Sequence, residues 1–189
     1  GYRQIVTATT NATMQLYADP DRQLAKAHQK WRNAARQLVR RGFRIKTPEL
    51  TPDLLGWLLA ADRLQQTRKK YRALPDAVTQ ALVSASSGAS LLLTANKGNT
   101  VHAAMLILRH GTQATYHIGW SDTVGRSASA HHAMILHAAG WLARHGVEKL
   151  DLGQVDTHHA PGLARFKIGT GATVQPLGGT WLRLTPWRR

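Results

Sequence analysis

The spacing of hydrophobic positions changes about halfway along the chain. Between Leu24 and Leu38, apolar residues return every three or four positions (Leu24, Ala27, Trp31, Ala34, Ala35, Leu38), while arginines and lysines occupy the flanks. Asp19 can cap such a helix, Pro20 suits its first position and Gly42 stops it, which predicts one amphipathic basic helix over "PDRQLAKAHQKWRNAARQLVRR". Two further helices open with the same device, Thr51 with Pro52 and Pro75 with Asp76. After "SSG" the pattern turns strand-like. "ASLLLTA", "TVHAAMLILRH" and "ATYHIGW" are separated by the turn sequences "NKGN" and "HGTQ", which suit antiparallel hairpins.

"SASAHHAMILHAAGWLARHG" then reads as a helix with Ala130, Met134, Leu136, His137, Trp141 and Leu142 available to its buried side and Gly146 at its end. A strand follows in "VEKLDLG", then a short helix from Pro161 to about Ile168, and two last strands around "ATVQPL" and "GTWLRL". Ahead of the basic helix, "YRQIVTATTNATMQLYA" predicts one or two strands with a turn near Asn11, and "FRIKT" predicts a short strand after it. The order describes a mixed α/β chain without repeats or linkers.

A length of 189 residues at 43% hydrophobic suits one principal core. The absence of cysteine excludes disulfides, thiolate chemistry and sulfur-ligated zinc. No apolar run reaches the roughly 18 residues of a membrane span, and no leader pattern opens the chain, so a soluble protein with a cytoplasmic home is expected. The chain starts at Gly1, which fits a processed product or a piece of a longer parent.

Charge sharpens the picture. Lysine and arginine number 25 against 10 acids, a formal +15, and no acid occurs between Arg22 and Lys46. Lys30, Arg32, Arg36, Arg40 and Arg41 lie in that stretch, and Arg68, Lys69 and Lys70 form a second basic knot. The plain alternative is a solvated helix face, but the acids that normally intersperse such a face are missing. Contact with tRNA or another polyanion is therefore expected. The histidines carry less weight. His131 with His132 and His158 with His159 are adjacent pairs, helix neighbours do not face one another, and no metal site is expected.

"HQKWRNAARQLVRRGF", "YHIGWSD", "LDLG" and above all "GLARFKIGTGA" followed by "LGGTW" resemble the GNAT acyltransferase superfamily, most closely its FemAB-like branch. The resemblance implies a mostly antiparallel central sheet with helices on both faces and one splayed parallel pair, here "ATYHIGW" and "EKLDL". It divides the chain into residues 1–42, strands and a basic helix from the joint to a first GNAT-like domain, and residues 43–189, the GNAT-like domain itself. Fem-type relatives carry two such domains in tandem, so a further N-terminal domain or partner chain is expected.

The resemblance also places chemistry. A donor pyrophosphate would lie at "DTVGRSA", on Gly125, Arg126 and Ser127, where a helix N-terminus favours an anion. Asp122 stands where users of coenzyme A tend to show Gln or Arg, which weighs against acetyl-CoA. Phe166 and Lys167 would flank the cleft, with the lysine facing an oxyanion or phosphate. Asp156 is the expected general base, Tyr116 or His117 a proton donor or cleft residue, and Trp120 a further substrate contact. Asp151, on the strand between Leu150 and Leu152, points away from their face. The implied activity transfers an acyl or aminoacyl group from aminoacyl-tRNA or acyl-CoA to an amine, with no permanently bound cofactor. The competing reading is a non-catalytic protein of the same fold that binds RNA or joins an assembly.

Overall fold

The computed structural model describes residues 1–85 and 88–183. In chain order these form β1 (Tyr2–Val6), β2 (Thr10–Gln15), α1 (Pro20–Lys26), α2 (Gln29–Arg40), β3 (Arg44–Lys46), α3 (Pro52–Lys69), α4 (Asp76–Ser84), β4 (Ser90–Lys97), β5 (Thr100–His110) and β6 (Gln113–Ser121). There follow α5 (Thr123–Ser127), α6 (Ala130–Arg144), β7 (Lys149–Gln154), α7 (Pro161–Gly169), β8 (Thr173–Pro176) and β9 (Thr180–Arg183). Seven strands make one sheet in the order β3-β4-β5-β6-β7-β2-β8, while β1 and β9 pair in a separate ribbon. Every pairing in the large sheet is antiparallel except β6 with β7.

The pleat sends alternate residues to opposite faces, and two clusters result. Leu91, Leu93, Met105, Ile107, Leu150 and Leu152 meet α2 and α6 on one face, whereas Leu92, Ala104, Leu106 and Ile118 meet Leu55, Leu58 and Leu59 of α3 on the other. Each fully buried leucine in these layers contributes about 1.5–3 kcal/mol. Residues 10–42 share this core, whereas β1 is exposed and lies in the ribbon with β9. β2 sits between β7 and β8, and Met14, Leu24, Trp31 and Leu38 all belong to the α2–α6 cluster.

Three local expectations are corrected. Asn11 lies inside β2, in register with Gln154 and Gln175, so the break between β1 and β2 falls at residues 7–9 instead. The basic helix is two helices, because Ala27 and His28 are extended and the His28 amide donates to the Gly169 carbonyl at 2.9 Å. That bond to a distant segment replaces a helical one, a tertiary effect that local spacing cannot announce. His137 is exposed, and α6 buries Ala133, Ile135, Ala138 and Ala139 beside the expected Ala130, Met134 and Leu142. The caps fall where expected: Asp19 accepts from the Asp21 amide, Thr51 from the Leu54 amide, and Gly146 follows α6 at φ +79°.

Candidate functional site

The parallel pair separates along its length. β7 matches β6 only from Gln113–Lys149 to Thr115–Asp151, whereas its partnership with β2 continues to Gln154. The cause lies in β6. Leu106 faces Ile118 and Ile107 faces Tyr116, so His117 is an extra residue, a bulge that bends a strand and increases its twist. From this point β6 follows β5 and β7 follows β2. Each strand is held on its outer side, which leaves the split free of any need to close.

The bulge also decides where the two neighbouring side chains go. Tyr116 joins the α6 layer, and its ring lies 6.5 Å from that of Phe166 on α7. A Cβ at Gly119 would collide with the Tyr116 hydroxyl, so the small residue three positions on makes room for the phenol. His117 turns to α4, where its Nε2 lies 2.8 Å from the Thr79 hydroxyl, and burial lowers its pKa. Burial, with the nearby Tyr71 and Asp62, also raises the Tyr116 pKa, so its hydroxyl keeps its proton at neutral pH.

Phe166 is the centre of an aromatic group. Its ring lies 5.0 Å from His132, 6.3 Å from Trp31 and 6.4 Å from His131. Trp31 holds α7 in place by donating from Nε1 to the Phe166 carbonyl at 3.1 Å. Gly171, at φ +82°, lies so close to the Lys26 carbonyl that a side chain would collide with it. The glycines of "KIGTGA" therefore seat α7 against the joint between α1 and α2. The His131 Nε2 lies 3.1 Å from the Trp120 carbonyl and 3.4 Å from that of Ala104, both acceptors only, so this nitrogen bears the proton. Burial pushes the His131 pKa down to about 4.

Lys167 follows Phe166 and is only 6% exposed. Its Nζ donates to the Gln154 carbonyl at 2.8 Å, at the end of β7 beyond the split. Burial lowers its pKa, partly countered by Asp151. Asp151 itself accepts from the Gly153 amide at 2.7 Å. Asp156 is engaged in its own loop: one oxygen accepts from the His158 and His159 amides at 2.9 and 2.8 Å, and the other meets His159 Nδ1 at 2.8 Å. The His159 amide and ring bonds hold this carboxylate below its ordinary pKa, which makes it a weak base.

At α5 the amides expected for a donor phosphate are used internally. Asp122 caps the helix, its Oδ1 accepting from the Gly125 amide at 2.7 Å, and its Oδ2 lies 2.7 Å from His102 Nδ1. Burial opposes its charge, but the Gly125 amide and His102 outweigh that and keep its pKa low. Gly125 packs so closely on the His102 carbonyl that a Cβ would not fit. Arg126 and Ser127 remain exposed.

Positive charge collects around this helix. Arg41, at the end of α2, donates to the Ser127 carbonyl, and Arg126 and Arg68 both lower the pKa of Lys69 after burial has done so. Lys30, Arg36 and Arg40 are exposed on α2, Arg32 is half-buried and donates to the Ala27 carbonyl at 2.8 Å, and Lys70 ends α3 in a left-handed conformation. Trp120 turns to α3 and meets Trp57 edge-on at 5.1 Å, away from the Phe166 group.

One group escaped the sequence reading. Asp62 on α3 is 5% exposed, accepts from the Tyr71 hydroxyl and from Gln66 Nε2, each at 2.7 Å, and among the described residues has no cation bonded to it. Gln65 joins this group to β6, its Nε2 donating to the Tyr71 hydroxyl at 3.1 Å and to the Gly119 carbonyl at 3.0 Å. A signal was present: Leu55, Leu58, Asp62 and Gln65 recur at three and four, which sets two polar residues on the leucine stripe.

Residues 25–167 match the family model of the acetyltransferase (GNAT) domain. Among solved structures, FemX superposes with a TM-score of 0.72 at 13% identity, covering 92% of this chain and 63% of that one. The C-terminal domain (DUF2156) of a putative lysylphosphatidylglycerol synthetase from Agrobacterium fabrum superposes at 0.63 with 15% identity, covering 93% of this chain and 59% of that one. L-PGS from Bacillus licheniformis superposes at 0.52 with 13% identity, covering 82% and 47% respectively. The chain thus spans less than two thirds of the length of each of these structures. At such identities the likeness is one of fold. No curated protein matches the sequence.

Proposed function

The chain belongs to the GNAT acetyltransferase family, and on that premise we propose that it is an N-acyltransferase of FemAB-like type, which moves an aminoacyl group from aminoacyl-tRNA to an amine. The observation that carries the transfer reaction is the bulge-opened split between β6 and β7, with Tyr116 and Phe166 across it and Lys167 at the end of β7. An acyl carbonyl placed there would be attacked by the amine nitrogen. Its oxygen would gain a full negative charge, and the Lys167 ammonium would stabilise that charge in a site with little water to compete. Burial has already lowered the pKa of Lys167, which helps it to release a proton to the departing oxygen.

The donor preference rests on α5. A carboxylate holds the Gly125 amide and adds negative charge where a coenzyme A pyrophosphate would need the reverse. Arg41, Arg68, Lys69 and Arg126 around the same helix, with exposed Lys30, Arg36 and Arg40 on α2, suit a longer phosphate backbone.

The test offers the purified protein aminoacyl-tRNA or acetyl-CoA as donor and propylamine as acceptor, with amide formation read by mass spectrometry. Amide from aminoacyl-tRNA is expected, with tRNA binding that weakens by about a thousandfold between 50 and 200 mM salt if about six phosphates are contacted. Amide from acetyl-CoA alone would overturn the donor assignment. Salt-sensitive tRNA binding without any amide would favour the non-catalytic reading.

A further inference from the structure

Asp62 is difficult to explain as scaffolding. Enclosing a carboxylate costs free energy unless a cation or several donors compensate it, and a glutamine or asparagine could accept the same two hydrogen bonds without a charge to bury. Its bonded partners are neutral, Tyr71 and Gln66, while Lys69, the nearby cation, donates to Gln65 Oε1 at 2.9 Å instead. The negative charge faces Tyr71 from the segment after α3 and Tyr116 and His117 from β6, and these three and Lys69 on α3 all register it.

The group also has an outlet. Tyr71 and Gln66, the two donors to Asp62, line a surface pocket of about 440 Å³ with Arg63, Thr67, Lys70 and Arg72. Arg63 is engaged by Asp76. Through Gln65 the other side of the group reaches the Gly119 carbonyl, two residues beyond the bulge that opens the split. A chain of hydrogen bonds thus runs from a solvent pocket, through Tyr71, to a buried carboxylate beside the strand on which transfer would take place.

We infer that Asp62 deprotonates the acceptor, a primary amine that arrives as an ammonium ion, with the Tyr71 hydroxyl as relay, and that the acceptor reaches the split from the α3 side. The inference rests on the acyl-transfer reading above. In the step, the ammonium gives one proton to the Tyr71 oxygen as the tyrosine's own proton moves to Asp62 Oδ1. The freed lone pair forms the N–C bond, and the carbonyl π pair moves onto oxygen. Collapse restores the carbonyl and breaks the C–O bond to the donor's ribose. Lys167 protonates the departing oxygen and is recharged by the second nitrogen proton, and the first proton leaves Asp62 for solvent. Burial, helped by the bond to Asp62, pushes the Tyr71 pKa up to about 12, so the relay hydroxyl is protonated at the start of each cycle.

Asp62→Asn tests this, since it keeps the shape and removes the charge. Transfer from aminoacyl-tRNA is measured with two nucleophiles: propylamine, an ammonium ion at neutral pH, and hydroxylamine, which is mostly uncharged there. A fall of about 100-fold in kcat/KM for propylamine is expected, with hydroxylamine transfer within about threefold of wild type, as for a lost general base. Raising the pH should restore propylamine transfer by supplying free amine. Tyr71→Phe should show the same selectivity to a smaller degree. Equal loss with both nucleophiles, or no loss with propylamine, would overturn the role of Asp62 while leaving the acyl-transfer reading intact. Failure of the wild-type protein with both nucleophiles would overturn that reading and this inference with it.

Discussion

α5 and α7 each carry a short stretch that resembles a family motif, yet they use it in opposite ways. In α7 the named groups are side chains, and the helix delivers them: Phe166 to the rings facing the split and Lys167 to the end of β7. In α5 the named groups are mainly amides. There the chain's own Asp122 takes the Gly125 amide, and Gly125 packs against β5 instead of approaching a ligand. A motif built on side chains is retained or lost letter by letter, whereas one built on backbone depends on a neighbour that the motif does not name.

The largest effect expected from this contrast is on Lys167. Replacing it with methionine keeps a stem of similar length within α7 and removes the charge and the donor to Gln154. Single-turnover transfer should fall by about 100-fold, the scale of a lost donor to an oxyanion. Stability should fall by about 1 kcal/mol for the unpaired carbonyl. Wild-type turnover in this variant would reduce α7 to packing and erase the difference from α5.

His131 lies between the two helices, at the start of α6 and 6.4 Å from Phe166. Its folded pKa of about 4 is depressed from the ordinary 6.5, so the unfolded chain binds the proton first as the pH falls. Its contribution is complete above pH 6.5 and is lost on descending toward 4. The shift corresponds to about 3 kcal/mol at most, or about 2 allowing for partial exposure. His117 and His132 shift in the same direction through burial, so His131→Gln should flatten part of this slope in urea titrations between pH 7 and 4, not all of it. An unchanged slope would mean that the α7 aromatic group does not enclose this ring.

Much of the fold was legible because local chemistry and tertiary packing agree. Thr51, Asp19 and Gly146 mark the ends of their helices, and the alternation in "TVHAAMLILRH" matches the two faces of β5. The break at Ala27 and His28 was not legible, since its cause is the Gly169 carbonyl more than a hundred residues away. At the site, Phe166 and Lys167 were named through resemblance, and the structure sets one beside Tyr116 and the other at the end of β7. The engagement of Asp156 by His158 and His159 depends on loop geometry, which the order of residues does not display. Asp62 was readable in principle from the α3 stripe, but an acid in a helix that ends in basic residues looks like an ordinary solvated charge until its face is known.

The smallest effect concerns α5 and asks whether its carboxylate is scaffold alone. Asp122→Ala removes an N-cap, which costs about 1 kcal/mol at neutral pH. The folded pKa of Asp122 is depressed, so its contribution is present above the ordinary carboxylate pKa of 3.8 and is lost as the pH falls through the folded value. The stability gap between wild type and variant should therefore be full at pH 7 and close in acid. Releasing the Gly125 amide should still give no calorimetric binding of acetyl-CoA, because the glycine remains buried against the His102 carbonyl and only its capping partner has gone. Micromolar binding by the variant would show that Asp122 alone separates α5 from a phosphate-binding turn, and that the two motifs differ by one side chain rather than by how their helices pack.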